Sequence, residues 1–206
     1  FTPLNAAVRD AFALDTVKYL VERGADVNHA TNQGVLPIAV AADTGNLELV
    51  RYLLSHGAEL PNMKSTPLIA ARGEAIGGVE KWQVNALSNA LAAGYVDIAR
   101  VLKRAGATTE NAMFAALFYH RPKSLRFAIE ELGEKQLPPW ALHVAAHSDF
   151  GETESIEMLL AAGMKANEVL AWAPTAAPQL MAVEQSAADI AARSGNTSPR
   201  IVLMAG

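Results

Sequence analysis

The ending RGADVN (23–28) comes back as HGAEL (56–60), a step of 33 residues from Gly24 to Gly57. It returns as RAGAT (104–108) and as AAGMKAN (161–167). No other feature constrains the fold so strongly. A segment of this length holds two short helices and a loop, cannot bury its apolar face alone, and is completed by stacking against its neighbours.

Each ending follows an apolar pattern at helical spacing: Val17, Leu20 and Val21; Leu49, Val50, Leu53 and Leu54; Ile98, Val101 and Leu102; Ile156, Leu159 and Leu160. Residues three and four apart share a helix face, so each group predicts one buried stripe. An Ala-rich segment precedes each stripe. In LPIAVAADTGNLELVRYLLSHGAEL (36–60), Pro37 suits a first helical turn, where its missing N–H leaves no bond unmade. Ala39, Ala41 and Ala42 allow two helices to approach closely. Gly45 turns the chain between them, and Gly57 ends the second helix in a backbone conformation that strains residues carrying a Cβ.

With TPLN (2–5), TPLI (66–69), ALHVAA (141–146), GNLELVRYLL (45–54) and GADVN (24–28), the chain resembles the ankyrin repeat family. The resemblance implies an all-α solenoid of stacked helix-turn-helix units with short hairpin loops, forming a single repeat domain over residues 1–206. About six units are expected: 1–30, 31–63, 64–108, 109–135, 136–167 and 168–206. The fourth, AMFAALFYH then SLRFAIEELG, keeps Leu125, Ala128, Ile129 and Leu132 on one face but loses the glycine-turn signal. The last, SAADIAARSGN then PRIVLMAG, reads as a terminal cap. Gly57 to Gly106 is 49 residues, 16 more than one step, which places an insertion near 62–84; a second lies near 167–185. Long inserts in such arrays are loops on one face, serving either binding or decoration. TPLN reads as the start of a helix lacking its lead-in, which leaves room for earlier sequence before Phe1.

Composition narrows the function classes. Net charge is -4, spread evenly, and no cluster of Lys and Arg interleaves with aromatics, so nucleic-acid binding has no source for its phosphate-neutralising term. No apolar run is long enough to span a membrane. Zero cysteines exclude disulfides, thiolate-bound zinc and thiol catalysis, and leave the compartment open.

Catalytic motifs are absent. The chain contains no nucleophile elbow, Walker loop or dinucleotide glycine pattern. His143 and His147 stand one helical turn apart and are followed by Asp149, Glu152 and Glu154, a pairing able to hold a metal. The resemblance gives His143 a different task, ordering the loop backbone of the stack, and the acids complement a helix N-terminus. No cofactor is expected. A small-molecule or metal-dependent activity in the third to fifth units is the alternative reading.

The resemblance also implies where a protein partner would bind: at the hairpin tips before each first helix and at the exposed end of that helix. In the second unit these positions are Asn32, Gln33, Asp43 and Thr44. The third offers Lys81 and Trp82, the fourth Tyr119, His120 and Arg121, and the fifth His147, Asp149 and Phe150. Aromatic and Arg side chains dominate binding energy at interfaces. Each also has a plain structural reading: Trp82 packs its insertion onto the stack, Asp43, Tyr119 and His120 are solvated helix ends, and Arg121 marks a helix stop before Pro122.

Overall fold

A computed structural model describes residues 2–10, 13–32, 34–60, 85–109, 112–132, 137–138, 141–146 and 153–166. Among these the structure is helical throughout: α1 (Pro3–Ala7), α2 (Leu14–Glu22), α3 (Pro37–Thr44), α4 (Leu47–Ser55), α5 (Ala86–Ala93), α6 (Val96–Arg104), α7 (Ala112–Phe118), α8 (Pro122–Glu130), α9 (Ala141–Ala146) and α10 (Glu154–Ala161). The chain divides into two compact units, Phe1–Ala115 and Ala116–Gly206, with the division falling inside α7.

In the first unit the helices come in pairs, α1 with α2, α3 with α4 and α5 with α6, and the pairs stack through α3 on α5 and α4 on α6. The predicted stripes supply the core. Val17, Leu49, Val50, Leu53, Ile98 and Leu102 are all fully buried. Each large aliphatic side chain removed from water in this way contributes roughly 1.5–3 kcal/mol. The inner helices also bury small residues, Ala39, Ala41, Ala42 and Ala90, which let the helix pairs approach. In the second unit α10 packs on α8 and α9, with Leu125, Phe127, Ala128, Ile156 and Leu159 buried.

Local chemistry sets the helix ends. Thr2 caps α1 by accepting from the Asn5 N–H at 3.2 Å, and Pro3, Pro37 and Pro122 stand in the first turns of α1, α3 and α8. Asn46 caps α4 by accepting from the Leu49 N–H at 2.9 Å, and Asn85 caps α5 by accepting from the Ser88 N–H at 2.7 Å. Gly45, at φ 79°, is the left-handed residue that ends α3.

Side-chain amides tie successive repeats together. Asn28, the last residue of the first GADVN, donates to the Gly57 carbonyl at 2.9 Å and accepts from the Glu59 N–H at 2.8 Å. Asn89, buried on α5, donates to the Ala39 carbonyl of α3 at 2.9 Å. Within the first repeat, Asn5 donates to the His29 carbonyl at 2.9 Å.

The fourth repeat corrects one sequence expectation: its turn is kept without glycine. His120 takes φ 53°, the only positive-φ non-glycine among the described residues. The His120 N–H donates to the Leu117 carbonyl at 3.1 Å and the Arg121 N–H to the Ala116 carbonyl at 2.8 Å. Gly94 and Tyr95 make the same two bonds, to Leu91 at 3.1 Å and to Ala90 at 2.8 Å. His, like Asn and Asp, is among the non-glycine residues enriched in this region. α7 ends at Phe118, before Arg121, and Pro122 opens α8 with Arg121 as its N-cap residue.

Candidate partner-binding face

The inner helices leave little of themselves exposed. On α5 the six residues from Ala86 to Leu91 are buried, as are the six from Ala112 to Leu117 on α7. A helix buried all round offers no side chains to a partner. What it leaves available are the loop before it and its C-terminal end.

The described site candidates lie in those places. Asn32 is exposed in the tip before α3, and Asp43 is exposed at the far end of that helix, beside half-buried Thr44. The Thr44 hydroxyl donates to the Ala41 carbonyl at 2.8 Å. The tip is held by Thr31, whose N–H donates to the Val35 carbonyl at 2.9 Å and whose hydroxyl accepts from the Val35 N–H at 3.2 Å. Asn32 therefore stands on a closed, ordered turn.

Tyr119, His120 and Arg121 follow the end of α7 and are each half-buried. The Tyr119 ring meets Phe118 edge-on, with centroids 5.3 Å apart. Gln33, Lys81, Trp82, His147, Asp149 and Phe150, and the side chain of His143, lie outside the described residues, as do Trp140 and Trp172 and the terminal unit.

Sequence reasoning missed a shallow groove beside the tip of the second repeat. Leu36, Ala39, Leu60 and Ala86 give it an apolar lining, with Glu59 and Asn85 among its polar residues. Leu36 and Leu60 were legible as apolar residues flanking the repeat signals. Their joint use as a groove wall depends on how adjacent repeats stack, which no single unit encodes.

A second feature lies on the outer helices. The Tyr52 hydroxyl is buried without a hydrogen-bond partner, and its ring lies against His56 with centroids 4.0 Å apart. Burial of the hydroxyl, with the Glu22 carboxylate adding to it, holds the Tyr52 pKa above the usual tyrosine value. At the end of α2 the guanidinium of Arg23, its C-cap residue, stacks over the exposed Tyr19 ring, 4.6 Å from its centroid. Among the described residues no three His, Asp or Glu side chains converge in a way that could hold a metal ion. No described helix is long and apolar enough to cross a membrane.

Paired helices, left-handed turns and side-chain amides reaching from one pair to the next define an all-α repeat solenoid. The family model of ankyrin repeats, three copies, matches residues 4–112, more than half of the chain. The protein belongs to the ankyrin repeat family, whose repeats are protein-interaction modules. Among solved structures, the human ASB11 ankyrin repeat domain is similar at 20% identity and TM-score 0.55, over 100% of this chain and 99% of that one. A chain from the complex of Bd0816, a predatory endopeptidase of Bdellovibrio bacteriovorus, with immunity protein Bd3460 is similar at 20% identity and TM-score 0.69. That likeness covers 100% of this chain and 97% of the other. No curated protein matches the chain.

Proposed function

We propose that the protein is a non-enzymatic binding module that grips a partner protein through its repeat tips and inner-helix ends, the face that is concave in this family. The observation that carries this reading is the contrast along α3: Ile38, Ala39, Ala41 and Ala42 are buried, whereas Asn32 before them and Asp43 after them are exposed on ordered backbone. Polar positions held on hydrogen-bonded backbone supply directional contacts at low entropic cost, and an apolar groove lies at the N-terminal end of α3. Glu59 of the second repeat and Asn85 of the third belong to the lining of that groove.

Two roles fit such a module, an adaptor joining proteins and a dedicated inhibitor of the immunity-protein kind. The inhibitor role is the one to test first, because one protein of like fold comes from an endopeptidase complexed with its immunity protein. At 20% identity that shared fold carries no partner across, so the role has to be read from this chain's own complex. Lys81, Trp82, His147, Asp149, Phe150 and Gln33 belong to the same proposed face by their place in the repeats.

Affinity capture from the source organism's lysate tests the reading, comparing the natural chain with an Asp43→Lys, Tyr119→Ala variant of equal thermal stability. A partner held by the first and lost by the second supports binding at this face. A partner held equally by both removes the face from the proposal, and the outer helices replace it. Capture of no protein by either chain counts against a protein-binding role.

A further inference from the structure

The clasp that Asn28 makes between the first and second repeats does not recur in register at the next joint. Asp26 accepts from the Asn28 N–H at 2.8 Å, and Asn28 in turn holds the Gly57 carbonyl and the Glu59 N–H. A step of 33 residues further on, Glu59 stands in the place of Asp26, and Pro61 in the place of Asn28. Proline has neither an amide side chain nor an N–H to donate. Glu59 therefore keeps the position of a structural acid without its task. Its backbone is held by Asn28, and among the described residues its exposed carboxylate makes no hydrogen bond or ion pair.

Two apolar residues of the same groove also depart from the repeat pattern. Val27, the register equivalent of Leu60, is 8% exposed, whereas Leu60 is half-buried and lines the groove. Leu36 holds the N-cap position of α3 with no side-chain bond, where Thr2 and Asn85 cap α1 and α5. An aliphatic residue at this position forgoes the capping bond and weakens the helix start. What it supplies instead is apolar lining shared with Leu60, Ala39 and Ala86. The cavity volume is about 20 Å³. A single water needs about 10–15 Å³ of such space, so the groove suits the tip of one aliphatic side chain and is too small for an aromatic ring.

Charge decides what accompanies that tip. Over residues 13–109 every described Lys and Arg, namely Lys18, Arg23, Arg51, Arg100, Lys103 and Arg104, lies on an outer helix or at its C-cap. The described loops that lead into α3 and α5 or follow α6 carry the acids Asp26 and Glu59 and no Lys or Arg. Natural sequences keep departures from local rules where function requires them. We infer that the groove between the second and third repeats takes a partner segment in which an aliphatic side chain stands next to a Lys or Arg. The aliphatic tip enters between Leu36 and Leu60, and the cation pairs with the Glu59 carboxylate. The inference rests on the protein-binding role proposed above and gives it a partner chemistry.

Selection of short random peptides, displayed on phage, against the full chain tests this. The natural chain is expected to enrich peptides with Leu, Ile, Val or Met beside Lys or Arg. Glu59→Lys, a change at an exposed position, is expected to enrich the same aliphatic residues beside Asp or Glu instead. In an enriched peptide made synthetically, exchanging the Lys or Arg for Glu weakens binding about threefold to tenfold, and the difference shrinks as salt is raised. Exchanging the aliphatic residue for Trp weakens binding as well. Leu36→Thr restores the cap found at Thr2, so the chain stays folded while one wall of the groove is lost, and it binds the enriched peptides several-fold more weakly.

A selection without an aliphatic and cationic pair, a consensus that Glu59→Lys leaves unchanged, or binding that survives Leu36→Thr overturns the inference. The two proposals fail separately. A captured partner that is lost from the Asp43→Lys, Tyr119→Ala variant but held with equal strength by the natural chain and by Glu59→Lys upholds the binding role while overturning this assignment.

Discussion

Replacing Gly45 by Ala is expected to cost more than replacing Gly57 by Ala, although the two glycines share a backbone conformation. Gly45 has φ 79° and Gly57 φ 81°, so an added Cβ is strained to the same degree in both, by about 1–2 kcal/mol. Their surroundings differ. Around Gly57 a new Cβ meets nothing within 4 Å, whereas at Gly45 it would lie 2.5 Å from Cζ and 2.9 Å from Oη of Tyr95. Tyr95 stands where the preceding repeat has the capping Asn46, and its ring lies across the turn of that repeat.

The overlap is relieved by swinging the ring outward, which is feasible for a side chain already 37% exposed but gives up its packing. Overpacking of this kind costs about 1–3 kcal/mol. Gly45→Ala should therefore lose about 2–5 kcal/mol, by adding that overlap to the backbone strain. Gly57→Ala should lose only the strain, about 1–2 kcal/mol. Urea unfolding of both variants, read at matched slopes, gives the difference directly. In a Tyr95→Asn background the excess at Gly45 should vanish, leaving a coupling of about 1 kcal/mol or more between the two positions. Equal costs for the two glycines, or no coupling with Tyr95, would refute the claim that this ring locks one repeat onto the next.

Further expectations follow from the same contacts. Leu53→Ala empties a fully buried position on α4 and should cost about 2–5 kcal/mol in the same urea assay. Asn28→Ala removes two bonds between the first and second repeats, and a loss of about 1 kcal/mol is expected; an unchanged midpoint would show that water replaces the amide without cost. The raised Tyr52 pKa means that the folded chain holds this proton more tightly than the unfolded chain does. Its contribution is fully present below the ordinary tyrosine value and is lost as pH rises through the higher folded value, so stability should begin to fall above about pH 10. Tyr52→Phe should flatten that fall and cost little at neutral pH, since the hydroxyl it removes has no partner. Absorbance titration of tyrosinate alongside urea midpoints at several pH values checks both.

The architecture was legible because it is written in short-range signals: Pro37 at a helix start, Gly45 and Gly57 at helix ends, and stripes such as Leu49, Val50 and Leu53 between them. Each acts within one turn of the chain, so a single sequence suffices to read it. The fourth repeat's turn was not legible, since it keeps the glycine conformation with a histidine and only the backbone reveals that. The bond from Asn89 to the Ala39 carbonyl was hidden for another reason. It spans 50 residues of chain, and an Asn in an Ala-rich helix reads as an exposed polar residue until the stacking brings a carbonyl to it. Site residues fared in between: repeat register brings Asn32 and Asp43 to exposed positions, but it gave no hint of the groove walled by Leu36 and Leu60.

Amide hydrogen exchange on the captured complex tests the central claim most directly, because it reports which backbone a partner covers without any substitution. The account predicts slowed exchange at the tip around Asn32, at the ends of α3 and α7, and through Tyr119 to Arg121, with α2, α4 and α6 unchanged. Protection confined to those outer helices, around Tyr19 and Tyr52, would contradict it.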